Sequence, residues 1–464
     1  MTKGKTMFYS KTHGSLLVLG IAGLLSVTGQ AHASGLQLTE QSVTGLGRAF
    51  AGGSLPNDDV SAVYYNPADM MLSKGMQVQA GFTFIGISIK ADDAGSTTRL
   101  PANLGDVLTK PGTLPVFVSV SDCRPGSSAV CSDDGGTDNV VPNTFFAMDI
   151  NDRMRFGLGI TAPFAVATGY TNNWVGRYVA LDSELKTIDI NPGIAYRVTD
   201  QLSLGFGVSA QYADVSLSRA LFNPFSPTND GYGESKGDDW GFGFNLGATY
   251  EFDPNTRVGL SYRSRVKYTL EGDNTISNYI PAANGKTDIT AEWTAPDWLA
   301  LAFYMRLNPQ WAVMASTRWT NWSLFQKLQI DKADGSGPLT VQEENWKDSW
   351  SFNIGVAYDY NPDWTFRAGY VYDQTPIRSA EYRHPTIPDS NRNAFGLGFS
   401  YHPGAQLSVD VGYMYISFAD ASTDETINLP PSALPIPAGL ITQHLMLDYN
   451  GSGNLFGIQA SYKF

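Results

Sequence analysis

Six short turns constrain this chain more than any other feature: NDR at 151, TDQ at 199, DPN at 253, NPQ at 308, NPD at 361 and HPG at 402. They recur roughly every 40 to 55 residues, and each separates two segments of alternating polarity. Before, between and after these turns run much longer polar stretches, such as 90–142, 219–238, 271–287, 329–344, 374–390 and 420–451. Tight connections on one side and long ones on the other are the asymmetry of an antiparallel barrel that crosses a membrane. Six hairpins together with a first and a last strand make about 14 strands.

The individual segments alternate as barrel strands should. In WGFGFNLGATYEF, Phe242, Phe244, Leu246, Ala248, Tyr250 and Phe252 share one face, opposite Gly241, Gly243, Asn245, Gly247, Thr249 and Glu251. In TRVGLSYRSRVKYTL the pattern places Val258, Leu260, Tyr262, Val266 and Tyr268 on one face and Arg257, Arg263, Arg265 and Lys267 on the other. A soluble sandwich also alternates, so other signals decide. The end, NLFGIQASYKF, aligns Phe456, Ile458, Ala460, Tyr462 and Phe464 on one face and finishes on an aromatic. Such an ending is similar to the strand that outer-membrane barrels present to the barrel assembly machinery.

The first residues carry Lys3, Lys5 and Lys11, then the apolar core SLLVLGIAGLLSV, then Ala31-His32-Ala33. That is the pattern of a secretory signal peptide, expected to span 1–33. The remainder contains no apolar run of about 18 residues, so no transmembrane helix is expected. Its 47 Gly, 23 Tyr, 24 Phe and 10 Trp beside 16% charged residues suit a barrel with aromatic girdles. A net charge of −13 argues against nucleic acid as a partner. Cys123 and Cys131, in CRPGSSAVC, are expected to staple a loop as a disulfide; no further ligands stand nearby for a metal.

A porin keeps polar residues inward along its whole length, and this chain departs from that. After Met76, Val78, Ala80, Phe82 and Phe84, the apolar residues Ile85, Ile87 and Ile89 occupy the opposite register. After Leu204, Phe206, Val208, Ala210 and Tyr212, the outer face turns to Asp214, Ser216 and Ser218, while Val215 and Leu217, followed by Arg219, point inward. In WAVMASTRWTNWSLFQKLQI, Trp311, Val313 and Trp319 face lipid, and Trp322, Leu324, Leu328 and Ile330 are placed inside. The expected result is an apolar vestibule beyond the membrane, favourable for hydrocarbon at roughly 0.8 kcal/mol per buried methylene. The competing explanation is a β-bulge that returns these residues to lipid.

Residues 34–74 precede the first strand and are apolar, glycine-rich and without strand periodicity. They are expected to fill the lumen as a hatch, with 75–464 as the barrel. Glu40, Asp58 and Asp59 would then face Arg263, Arg265 and Lys267. Another irregularity lies in FGLGITAPFAVATGY, a strand pattern that contains Pro163, which has no N–H for a ladder.

SGLQLTEQSVTGLGRAFAGG, YYNPADM, WGFGFNLGATYEF, YRSRVKYTLEG, WTNWSLFQKL and DWTFRAGYVYDQTPI together resemble the FadL family of outer-membrane transporters. The resemblance covers essentially the whole mature chain, and Asn66-Pro67-Ala68 is its most specific triplet. It implies a 14-stranded barrel with an N-terminal hatch that passively admits long-chain fatty acids or, in relatives similar to TodX, aromatic hydrocarbons. It also implies that the third strand kinks inward at Pro163, with Gly169 weakening it further, so that a solute leaves sideways into the membrane. Leu36 matches a pocket-plugging position and Arg219 one of two basic residues that meet a carboxylate; the second position is Gln342. The partners so implied are a hydrophobic small molecule, outer-membrane lipids and the assembly machinery, with a monomeric chain and no cofactor. A general diffusion porin is the alternative outside the family. An enzyme is disfavoured: the histidines after the signal are His384, His402 and His444, and neither G-x-S-x-G nor H-E-x-x-H occurs.

Overall fold

The computed structural model describes residues 35–464 apart from 111, 124–127, 224, 225, 227, 228, 430–436 and 438. The expected signal peptide lies outside the described residues. Fourteen antiparallel strands close into one barrel: β1 (Gln77–Asp93), β2 (Asp138–Asn151), β3 (Met154–Thr161, resuming as Ala165–Gly169), β4 (Asp182–Arg197), β5 (Leu202–Leu221), β6 (Gly231–Asp253) and β7 (Thr256–Arg263, resuming as Val266–Ser277). They continue through β8 (Gly285–Ala295 and Trp298–Arg306), β9 (Trp311–Thr320 and Lys327–Lys332), β10 (Pro338–Glu343 and Ser349–Asn361), β11 (Trp364–Asp373), β12 (Arg392–Tyr401), β13 (Leu407–Phe418 and Ala421–Asn428) and β14 (Thr442–Lys463). Closure is made by β1 on β14, in register from Gln77↔Lys463 to Asp93↔Leu447. Each of the six short turns joins a hairpin, from β2–β3 to β12–β13.

Alternation sorts the side chains as the sequence suggests. Phe82, Phe206, Phe242, Ile354, Leu397 and Phe456 stand exposed on the outer surface. Aromatic pairs flank this band: Tyr212–Trp240 (5.4 Å) toward the long loops, and Trp364–Tyr401 (4.7 Å) and Tyr462–Phe464 (4.9 Å) at the short turns. Amphipathic rings at both borders are what a bilayer interface selects.

Two of the three expected inward apolar stretches keep an unbroken register. Ile85, Ile87 and Ile89 are buried inside β1, whose pairing with β14 has no bulge. The β5–β6 ladder is likewise continuous, which leaves Val215, Leu217 and Arg219 on the inner face. The third stretch is corrected: β9 breaks at a 3-10 turn, Trp322–Leu324, so its residues do not alternate through that point. A second correction concerns β7, interrupted at Ser264 and Arg265; beyond the break Val266 and Tyr268 point inward and Lys267 is exposed.

Residues 35–73 are packed against the inner wall on many sides. A short helix, Val43–Gly47, capped by the Ser42 hydroxyl accepting from the Gly45 N–H (2.9 Å), lies against β12 and β13. A 3-10 turn, Pro67–Leu72, lies against β4, β5 and β6 on the other side. Close approach is possible because wall glycines stand in register: Gly355 faces Gly369, which faces Gly396, and Gly398 faces Gly412, which faces Gly457.

The acidic groups of this segment do not meet the basic residues assigned to them above. Asp58 is bound by Arg48 of the same segment (3.4 Å) and by Arg367 of β11 (2.9 Å). Asp59 accepts from the hydroxyls of Thr44 (2.7 Å) and Ser42. Arg263 instead pairs with Asp189 on β4 (2.8 Å) and donates to the Tyr64 carbonyl (3.3 Å). Arg265 binds Asp297 (3.1 Å) from a largely exposed position. The barrel supplies its own counter-ions, because burying an unpaired charge costs several kcal/mol.

Candidate functional site

The site begins at the interruption in β3. The β2–β3 ladder runs from Asn151↔Met154 to Thr144↔Ile160 and stops there, although β2 continues to Asp138 along β1. On the other flank three residues, 162–164, oppose two of β4 between Thr161↔Asp189 and Ala165↔Lys186. Pro163 therefore sits both in a one-residue bulge and at the end of a ladder. Its carbonyl turns inward and accepts from the Leu38 N–H (2.8 Å), while the Ala165 N–H donates to the Leu36 carbonyl (2.9 Å). Gln41 holds both backbone groups of Ala162 through its side-chain amide (2.7 and 3.2 Å). The N-terminal segment has replaced β2 as the partner of β3 at this level. Pro142, on the β2 side, stands next to the ladder's end and likewise lacks a donor. Sequence reading passed over it because nothing local distinguishes it from an edge proline.

Gly169 closes β3 opposite Asp182, and its N–H donates to the Gly135 carbonyl (3.2 Å). Asn66-Pro67-Ala68 lies at the far end of the segment, away from Pro163. Asn66 accepts from the Ala68 N–H (3.2 Å) and donates to Asp69 (3.1 Å) and to the Thr249 hydroxyl of β6 (3.2 Å). A Cβ on wall residue Gly205 would lie 2.3 Å from the Ala68 nitrogen. The triplet thus fixes the segment to the wall.

Above the interruption, buried side chains form one apolar cluster that includes Leu36, Phe164, Trp293, Trp322, Phe325 and Trp346. Phe164 meets Trp293 edge-on (5.8 Å) and Trp322 (6.3 Å); Trp346 packs on Trp322 (5.1 Å) and Phe325 (4.9 Å). Val215 and Leu328 pack against this cluster from the wall. Leu36 and Trp322 are therefore where the sequence puts them. Leu324 is half-buried on the 3-10 turn, outside the described cluster, and Phe325 takes the place assigned to it, since a 3-10 turn carries the next side chain inward. Gly35 is wedged beneath the indoles, where a side chain would run into Trp346, and its N–H donates to Asp389 (3.2 Å).

Further out, a narrow pocket of about 80 Å³ is lined by Leu217, Leu328, Ile330 and Arg219 among others. It adjoins a cleft of about 1190 Å³ between the long loops, and Arg219, Thr340 and Gln342 line both. The two positions singled out from the sequence thus converge on one junction. Arg219 donates weakly to the Thr340 hydroxyl (3.4 Å) and makes no ion pair among the described residues. The Gln342 amide donates to Glu344 (3.0 Å), whose other oxygen accepts from the Trp346 indole N–H (3.0 Å). Cys123 and Cys131 are bonded to each other in the first long loop, with their Cα atoms 5.7 Å apart.

Sequence reading missed His384 and Glu425, which lie about 40 positions apart and meet only in the folded loops. His384 Nδ1 lies 2.9 Å from Glu425 Oε2 and its Nε2 lies 3.0 Å from the Glu343 carbonyl. Both partners accept, so both ring nitrogens carry protons and the ring is an imidazolium. Burial opposes that charge more strongly than any single neighbour supports it, but the hydrogen bond and charge of Glu425, the charge of Glu344 and the Glu343 carbonyl together outweigh it and move the pKa up to about 9. A raised histidine pKa contributes stability in full below 6.5 and loses it as pH rises through about 9. Burial pushes the Glu344 carboxyl up to about 7 from 4.5, so its own effect, a loss of stability as pH rises, is complete near neutrality. The detergent-solubilised protein is accordingly expected to melt a few degrees lower at pH 9.5 than at pH 7. His384→Gln should flatten that interval, and an equal decline in the variant would assign it elsewhere.

Comparison with known proteins agrees with this architecture. The model of the family described as outer membrane protein transport protein (OMPP1/FadL/TodX) matches residues 24–464. The chain is 29% identical to the long-chain fatty acid transport protein of Escherichia coli K12 over 444 residues, covering 88% of this chain and 92% of that one. It is 28% identical to outer membrane protein P1 of Haemophilus influenzae Rd over 474 residues, covering 95% and 97%. Among solved structures, a Pseudomonas aeruginosa FadL homologue superposes with a TM-score of 0.78 at 24% identity, over 93% of this chain and all of that one, 100%. The Ralstonia pickettii toluene transporter TbuX gives a TM-score of 0.60 at 20% identity, over 91% and 100%. A closed barrel with outward apolar alternation, a filled lumen and a family match across nearly its whole length make this chain a member of the OMPP1/FadL/TodX family of outer-membrane transport proteins.

Proposed function

We propose that this protein takes up long-chain fatty acids passively, by capture in the loop cleft, transfer to the pocket at Arg219 and lateral exit beside Pro163. The observation that carries this reading is Arg219: a half-buried guanidinium without an ion-pair partner among the described residues, at the junction of an open cleft and a narrow apolar pocket. Such a group suits a carboxylate, since charge-assisted hydrogen bonds are about twice as strong as neutral ones. The chain behind that head group would lie on Leu217, Leu328 and Ile330, then reach Val215 and the Leu36–Trp322–Phe164 cluster, which borders the interrupted ladder. The hatch, residues 34–74, would have to release Leu36 and Gln37 from β3 to open that route. No G-x-x-x-x-G-K-[ST] loop is present, and partition of the solute from water is sufficient as a driving force.

Gln342 in place of a second basic residue favours a second reading within the family, uptake of neutral aromatic hydrocarbons. A general diffusion porin accords poorly with a lumen filled by buried residues 35–73. Binding of labelled oleate and toluene to the purified protein separates the first two readings. Arg219→Ala is expected to weaken oleate about tenfold or more while leaving toluene unchanged. Equal oleate binding by the variant would remove the carboxylate role. For the exit, Ala162→Trp at the gap should slow oleate uptake without changing its binding, and unaltered uptake would take the gap off the route.

A further inference from the structure

Glu425 carries a feature that the carboxylate reading does not use. Its side chain is only 9% exposed, it lines the loop cleft that also contains Arg219, and it lies on the outer extension of β13. One oxygen, Oε2, is held by the His384 imidazolium, so the charge is already balanced. The other, Oε1, is buried without a hydrogen-bond partner among the described residues. Neighbouring hydroxyls do not serve it: Thr423 donates to the Arg383 carbonyl and lies 3.3 Å from the Tyr449 hydroxyl. A buried acceptor left without a partner costs more than a made hydrogen bond contributes net, which makes it a selective contact for any ligand that brings the missing proton.

We propose that Glu425 Oε1, presented to the cleft by a turn of the carboxylate about its hydrogen bond to His384, accepts a hydrogen bond from a ligand hydroxyl, so that the cleft prefers hydroxylated long-chain amphiphiles to their unsubstituted parents. A hydroxyl fits better than an ammonium, because the carboxylate is already neutralised by His384 and Arg219 faces the same space. The preference builds on the fatty-acid reading above for the chain and its carboxylate, and adds a second polar contact at a separate residue. Arg219 holds the anionic end and Glu425 reads an alcohol elsewhere on the chain.

The test compares stearate, 3-hydroxystearate and 12-hydroxystearate on the full-length protein in detergent, with octadecane-1,12-diol as a neutral arm. At least one hydroxystearate should bind the wild type about tenfold more tightly than stearate. In Glu425→Ala that ratio should fall to within about twofold, with stearate affinity itself retained as the check on folding. Three hydroxyl-independent affinities in the wild type, or an advantage that survives Glu425→Ala, would overturn the assignment without reference to any variant's fold in the first case. Diol binding that depends on Glu425 but not on Arg219, in a protein that ignores stearate, would support the hydroxyl contact and end the carboxylate reading alone.

Discussion

Gly369→Leu is expected to convert a nearly closed channel into a conducting one. A Cβ at this position would lie 2.0 Å from the Arg48 carbonyl oxygen and 2.2 Å from its carbon, both backbone atoms of the lumen segment. Neither can yield as a flexible side chain would, so the segment has to leave the wall. The barrel does not: the outer face of β11 is untouched, and Gly369 pairs with Gly355 and Gly396 through backbone groups alone. A 14-strand barrel without its filling leaves an aqueous path, so single-channel conductance in a planar bilayer should rise at least about tenfold over the wild type. Heat-modifiable mobility on gels would report an intact barrel in both. A folded variant with wild-type conductance would show that residues 35–73 do not form the barrier.

Asp58→Ala should produce the largest loss of local stability. Asp58 joins Arg48 of the segment to Arg367 of the wall, and both guanidinium groups are buried to within 3% exposure. Removing the shared acid leaves the buried Arg48 without an ion pair among the described residues and Arg367 with only the charge of Asp410, reached through Ser400, and breaking a buried pair from one side costs about 3–5 kcal/mol. The natural readout is trypsin added from the short-turn side, because Arg48 is itself a cleavage site and is 1% exposed in the wild type. Cleavage after Arg48 should accelerate about a hundredfold or more, following the population of the displaced segment. Asp58→Asn should lie between, since an amide oxygen still accepts one of the two bonds. Equal protection of Asp58→Ala would mean that the short helix and the wall glycines seat the segment without the ion pairs.

Much of the molecule is legible in its one-dimensional pattern, and the reason is the period of two. Alternation is strict wherever lipid lies on one side: Leu204, Phe206 and Val208 could be assigned outward, and Val215, Leu217 and Arg219 inward, by counting alone. Counting fails where the backbone leaves the ladder. Arg265 marks such a break in β7 and Asn321 another in β9, and beyond each the assigned faces of Lys267 and Leu324 are wrong. A break of one or two residues carries no strong compositional mark, and a single slip exchanges the two faces.

The chain's own letters determined the number of strands, the side on which the turns are short, the burial of residues 35–73 and the interruption at Pro163, because each depends on local periodicity or on a missing N–H. Tertiary structure alone decided which groups meet. It placed Asp58 between Arg48 and Arg367, paired Arg263 with Asp189, aligned Gly355, Gly369 and Gly396 into a seat for the segment, and brought His384 to Glu425 in the cleft that Arg219 also lines. Charge pairing and close backbone approach act over a few ångströms, and strand register, which sums every turn and bulge before it, sets those distances.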